Sequence, residues 1–136
     1  MWRKTMEKEK ILEMIEIYPE KGVLPCTVAH FIAEYLHVSP LDVGMVANHA
    51  KVKLRLCQIG AFGYGRKGTS NYKIFKREVQ VPEGVLDRIR QEAVDGRISC
   101  ETLWNIARDE DVTRPEVGNA ADSLGMKITP CQLGAF

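Results

Sequence analysis

The chain repeats itself. Its final string, Cys131-Gln132-Leu133-Gly134-Ala135-Phe136, occurs earlier as Cys57-Gln58-Ile59-Gly60-Ala61-Phe62, an offset of 74 residues. The same offset holds without a gap back to residue 9, and 17 of the 54 aligned positions are identical. Chance would supply about three at ordinary residue frequencies. Identities include Leu12/Leu86, Ile15/Ile89, Gly22/Gly96, Cys26/Cys100, Ala33/Ala107, Val43/Val117, Gly44/Gly118 and Ala47/Ala121. Two copies of one unit therefore make up most of the 136 residues. Pro82 can open the second copy, so a division into residues 1–78 and 79–136 is expected. The second copy is too small to bury much core alone, so the two should pack together.

Each copy opens with a helix. In copy one it is expected over residues 5–18, with Ile11, Met14, Ile15 and Tyr18 at helical spacing, closed by Pro19 and Gly22. In copy two, Val85, Leu86 and Ile89 line one face and Gly96 ends the segment. A second helix follows over residues 27–36, burying Ala29, Ile32, Ala33 and Leu36; Leu103, Ile106 and Ala107 match it in copy two. Then comes Ala33-x-x-Leu36-His37-Val38-Ser39-Pro40-Leu41-Asp42-Val43-x-x-Val46. Ala33 lets two helices approach, and Val38 reaches into the core from the turn. Ser39 is a ready N-cap, Pro40 suits the first helical position, and Asp42 sits three residues after the cap. Val43 and Val46 face inward on a third helix over residues 40–50. Copy two repeats the arrangement with Ala107, Val112, Thr113, Pro115, Glu116 and Val117.

These residues resemble the helix-turn-helix pattern of DNA-binding proteins, with alanine, turn aliphatic and later aliphatic at that superfamily's spacing. One position departs from it: where the turn usually has glycine, this chain has His37 and, in copy two, Asp111. Both residue types tolerate a left-handed backbone better than most.

Beyond the third helix, Lys51-Val52-Lys53-Leu54-Arg55-Leu56 alternates strictly, the pattern of a half-buried strand with its basic residues outward. Gly60, Gly63, Gly65 and Gly68 mark a long turn, and residues 72–76 form the return strand. Three helices and a basic hairpin resemble a winged helix. Copy two has a first strand over residues 126–128 and no comparable return strand. The fold class expected is mainly α with a small β component: two tandem three-helix units, the first followed by a wing.

Charge separates the copies. The net charge is only +1, but residues 43–77 hold eight basic residues and no acidic one, net +8. Residues 1–42 carry net −2 and residues 78–136 net −5. One reading pairs the basic block with acidic groups of the other segment. The other makes it a phosphate-binding surface, with Lys51, Lys53, Arg55, Arg66, Lys67, Lys73 and Lys76 as nucleic-acid-binding residues and Tyr64, Tyr72 and Phe75 interleaved. Copy two offers Gly125, Lys127 and Thr129 in place of Lys51, Lys53 and Arg55, so the basic character belongs to copy one. On the third helix, Asn48 and His49 are the candidates for base contact, while Asp42 would repel phosphate.

The four cysteines recur as Cys26 and Cys57, then Cys100 and Cys131. They read as small buried residues; a disulfide within each copy and a metal site built on Cys26, His30, His49 and Cys57 are weaker alternatives. No cofactor is implied, and no metal residue is assigned. Gly60-Ala61-Phe62-Gly63-Tyr64-Gly65 lacks the strand-to-helix context of a phosphate loop and reads as a turn. Paired carboxylates, a Ser/His/Asp set and a nucleophile elbow are all missing, which argues against an enzyme. No apolar run approaches the roughly 20 residues of a membrane span, and the N-terminus offers no signal-peptide core, so a cytoplasmic protein is expected. The reading that results is a DNA-binding, transcription-regulating protein that grips duplex DNA through residues 51–77. The alternative is a non-enzymatic adaptor on the same repeats, docking a protein partner or a second copy through residues 79–136.

Overall fold

The structure, a computed structural model, describes residues 2–62, 64 and 80–135. Among them the protein is mainly α with a small β component. Copy one runs α1 (Trp2–Ile17), β1 (Val23–Pro25), α2 (Cys26–Leu36), α3 (Pro40–His49) and β2 (Lys53–Arg55). Copy two runs α4 (Glu83–Glu92), β3 (Arg97–Ile98), α5 (Cys100–Asp109), α6 (Arg114–Ser123) and β4 (Lys127–Ile128). Each copy thus holds three helices and two short strands in the same order.

The described strands pair in parallel within each copy. β2 lies parallel to β1, with Val23 opposite Lys53, Leu24 opposite Leu54 and Pro25 opposite Arg55. β4 lies parallel to β3 in the same way, Arg97 opposite Lys127 and Ile98 opposite Ile128. The alternation over residues 51–56 predicts a strand twice as long as the one that forms. Lys51 and Leu56 both have positive φ, 60° and 53°, and these left-handed corners limit the strand to its three central residues. The return strand expected over residues 72–76 lies outside the described residues.

The helix ends follow local chemistry. Ser39 Oγ accepts a hydrogen bond from the Asp42 N–H at 3.0 Å, and Pro40 opens α3. Thr113 and Glu116 complete a reciprocal capping box on α6: the Glu116 N–H donates to Thr113 Oγ1 at 3.2 Å and the Thr113 N–H donates to Glu116 Oε1 at 3.0 Å. The turn residues His37 and Asp111 are left-handed, φ 57° and 54°. After His37, the Val38 N–H reaches back to the Ala33 carbonyl; after Asp111, the Val112 N–H reaches the Ala107 carbonyl, each at 3.0 Å. This is the hydrogen bond of a Schellman helix end, and it ties each turn valine to its identical alanine.

The core repeats with the sequence. In copy one it includes Ile11, Ile15, Leu24, Cys26, Ala29, Ile32, Ala33, Val43, Val46, Ala47, Cys57 and Ile59. Copy two buries the residue 74 positions on in every case, from Val85 to Leu133. Where sizes differ they offset one another: Ala29 and Val46 become Leu103 and Ala120, moving volume from the third helix to the second. Leu36 and Val38, expected inside, are half-buried. All four cysteines are buried, and none is joined in a disulfide.

The chain divides into two compact units. One is Met1–Cys57 with Leu133–Ala135; the other spans Gln58–Gln132. This division follows packing, whereas the division expected into residues 1–78 and 79–136 follows the repeat. In the first unit, α3 passes so close to the tail that a Cβ on Gly44 would stand 2.7 Å from the Leu133 carbonyl carbon and nearer still to its oxygen. In the second, a Cβ on Gly118 of α6 would stand 3.0 Å from Ile59 Cβ and 3.1 Å from its carbonyl carbon. Each copy's tail is built into the body of the other.

Candidate nucleic-acid interface

The inner face of α3 is Val43, Gly44, Val46 and Ala47, which leaves Leu41, Asp42, Met45, Asn48 and His49 exposed. The helix ends at Ala50 in a second Schellman arrangement. The Lys51 N–H donates to the Asn48 carbonyl at 3.1 Å and the Val52 N–H to the Ala47 carbonyl at 2.8 Å. The Lys53 N–H then donates to the Gly22 carbonyl at 2.9 Å and starts β2. In this way one turn of backbone gathers Asn48, His49, Lys51 and Lys53, all exposed, at one corner of copy one.

Arg55 is half-buried on β2 and already engaged, so it joins this corner less fully than the strand pattern implies. The three alternating cations do not share one strand face, because Lys51 belongs to the helix end. Arg66, Lys67, Lys73 and Lys76 lie outside the described residues.

Copy two builds the same corner with other side chains. The Gly125 N–H donates to the Asp122 carbonyl at 2.9 Å and the Met126 N–H to the Ala121 carbonyl at 3.0 Å. Gly125 has φ 74° where Lys51 has 60°. The residues there are Asp122, Ser123, Gly125 and Lys127 in place of Asn48, His49, Lys51 and Lys53. Backbone geometry is held while the charge changes.

A second surface was not singled out by sequence reasoning. Phe31 and Tyr35, 59% and 65% exposed on α2, stack with ring centroids 5.9 Å apart. Met6, Ile17, Leu41, Met45 and Leu56 are also exposed in copy one. Their equivalents in copy two are polar or proline wherever the repeat covers them: Phe31 becomes Asn105, Tyr35 Asp109, Met45 Asn119, Ile17 Gln91, Leu41 Pro115 and Leu56 Pro130. Beside Tyr35 a groove of about 420 Å³ is lined by Met6, Glu7, Lys10, Leu36, His37 and Val38. The signal lay in the repeat: positions apolar in one copy and polar in the other, on the outer helix faces.

Copy two uses the equivalent surface for ion pairs. Arg88 contacts Asp109 at 2.9 Å and Glu110 at 3.8 Å, and Arg108 donates to Asp109 at 3.2 Å. The hydrogen bond from Arg88, then that from Arg108, holds the Asp109 carboxyl below its ordinary value of 3.8. The capping box does the same to Glu116, chiefly through the Thr113 backbone N–H. On the neighbouring helix, Arg114 lies 3.6 Å from the centre of the Trp104 ring and hydrogen-bonds Gln58.

Among the described residues no three His, Cys, Asp or Glu side chains gather as metal ligands, and no helix is long and apolar enough to cross a membrane. Comparison with family models, curated proteins and solved structures finds no match to this chain.

Proposed function

We propose that the chain is a DNA-binding, transcription-regulating protein of helix-turn-helix character, and that it grips duplex DNA through the α3–β2 corner of copy one. The observation that carries this reading is Lys51. A left-handed residue with a side chain costs about 1 kcal/mol relative to glycine, the residue that copy two uses at the same corner. Copy one keeps a lysine there against the backbone's preference. The lysine's charge, beside exposed Lys53, Asn48 and His49, is the gain that offsets it. Backbone cations supply affinity, and Asn48 and His49 have the donors and acceptors to reach base edges. Arg66, Lys67, Lys73 and Lys76 extend the same positive charge along the sequence. Four buried cysteines outside any disulfide fit a reducing, cytoplasmic setting.

The test is Lys51→Gly, measured as affinity for a mixed-sequence duplex against salt. The expected result is weaker binding with a salt slope smaller by about one, while unfolding stability rises by up to about 1 kcal/mol. Unchanged affinity with raised stability would refute the reading.

The exposed apolar residues favour a second reading, a protein-docking adaptor. Replacing Phe31 by Asn and Tyr35 by Asp, the residues of copy two, would abolish capture of a protein partner. DNA affinity would remain intact if the two surfaces act separately.

A further inference from the structure

The motif shared by the two copies has a place in the fold that neither the charge pattern nor the DNA reading uses. In each copy the third helix carries a glycine, Gly44 or Gly118, at the same repeat position. Against Gly44 lies the backbone of Leu133; against Gly118 lies the backbone of Ile59. Because 44 and 118, like 59 and 133, are 74 apart, this is one contact made twice with the partners exchanged. Leu133 is 2% exposed and Ile59 fully buried, so each tail is core material for the body that receives it. Gly134, left-handed at φ 80°, continues the first contact, where a Cβ would meet Leu41 Cδ1 at 2.8 Å. In the second, the Arg114 hydrogen bond to Gln58 adds a polar hold beside the buried Ile59.

A unit that closed on its own tail would need no second copy. Here Cys57 belongs to one compact unit and Gln58 to the other, while Leu133–Ala135 return to the first. The glycine leaves a slot on the helix that admits a peptide backbone, and the aliphatic residue of the tail fills the core beneath it. Both tails read Gln-(Ile/Leu)-Gly-Ala-Phe after cysteine, so slot and tail are a matched pair present twice.

We propose that the Gly44 and Gly118 slots are self-recognition sites whose partner is the tail of another copy of the repeat. The two repeats hold each other by this exchange, and the peptide connection between residues 62 and 80 is not needed to keep them together. The proposal stands apart from the DNA reading, since neither slot includes Lys51 or Lys53.

The experiment inserts a protease recognition sequence between Gly68 and Thr69 of the full chain and cuts the folded protein. The two fragments should co-elute in size exclusion at the mass of the uncut chain and separate only in denaturant. Separation of the fragments at about 10 μM without denaturant would overturn the proposal. In the cut protein, Ile59→Ala and Leu133→Ala should each weaken fragment association by at least about 30-fold, the effect of emptying a buried aliphatic site. Val94→Ser, at a side chain 69% exposed, should leave it unchanged. Co-elution that is indifferent to Ile59→Ala and Leu133→Ala would also overturn it, since something other than the tails would then join the halves.

Discussion

Adding a methyl group to Gly44 sets two effects of opposite sign against each other. Gly44 is the fifth residue of the ten in α3, where alanine is more favourable than glycine by about 1 kcal/mol from backbone entropy alone. Against that stands the Leu133 backbone, whose carbonyl carbon would be 2.7 Å from the new Cβ and whose Cα would be 3.1 Å away. Ordinary carbon contacts are about 3.5–4.0 Å and the Leu133 carbonyl oxygen is closer than its carbon, so the tail must retreat by more than about 1 Å. A gap of that size forfeits about half of the dispersion energy across it, and overpacking this severe falls in the upper part of the usual range, about 2–3 kcal/mol. Complete release of the tail sets a ceiling, because burial of a leucine side chain is worth about 2–3 kcal/mol. Subtracting the helix gain leaves a net loss of about 1–2 kcal/mol, or roughly 4–8 °C in Tm for a chain of this length. Urea unfolding followed by circular dichroism measures it. Gly84→Ala is the control: a Cβ there meets nothing within 4 Å, and stability should hold or rise slightly. If Gly44→Ala proved as stable as the parent or more so, the close approach of tail and helix would be refuted.

Thr113→Ala removes the hydroxyl that accepts the Glu116 N–H, leaving the backbone N–H of residue 113 to donate to Glu116, and should cost about 1 kcal/mol in the same unfolding assay. Asp109 and Glu116 both have lowered folded-state pKa values, so their contribution is complete above the ordinary values of 3.8 and 4.5 and is lost as pH falls below them. Stability should therefore decline from about pH 4.5 downward, and Asp109→Asn with Glu116→Gln should flatten that decline in urea midpoints compared at pH 7 and pH 3. Arg114→Ala removes the cation over Trp104 and should shift the Trp104 fluorescence, with a loss of about 0.5–1 kcal/mol for a partly exposed pair.

Much of the fold is local and so could be read along the chain. Ser39 and Thr113 cap helices through bonds spanning three residues, and His37 and Asp111 turn left-handed because the Schellman bond closes within five. The repeat adds the core, since the buried residues of copy one from Ile11 to Ile59 named above all have buried counterparts in copy two. Residues 51–56 mark where this reasoning stops. Alternation alone describes a strand, but the backbone N–H groups of Lys51 and Val52 are taken by the end of α3, and β2 finds its partner in β1. Hydrogen-bond competition between a helix end and a strand is invisible to a polarity pattern. On α2 the helix phase turns Ala29, Ile32 and Ala33 inward as the spacing predicts, and the same phase leaves Phe31 and Tyr35 exposed on the outer face.

That this protein is one unit made twice, with shared caps, turns and core and with its net positive block in copy one, is written along the chain. Which body each Cys-Gln-(Ile/Leu)-Gly-Ala-Phe tail completes emerges only from the folded arrangement. The reason is a degeneracy. Gly44 and Gly118 offer equivalent slots, and the tails that carry Ile59 and Leu133 differ in their core residue by the placement of one methyl group. The residues common to both copies do not distinguish a tail's own body from the other, so the choice falls to the path of the chain and to contacts made once, such as Arg114 to Gln58.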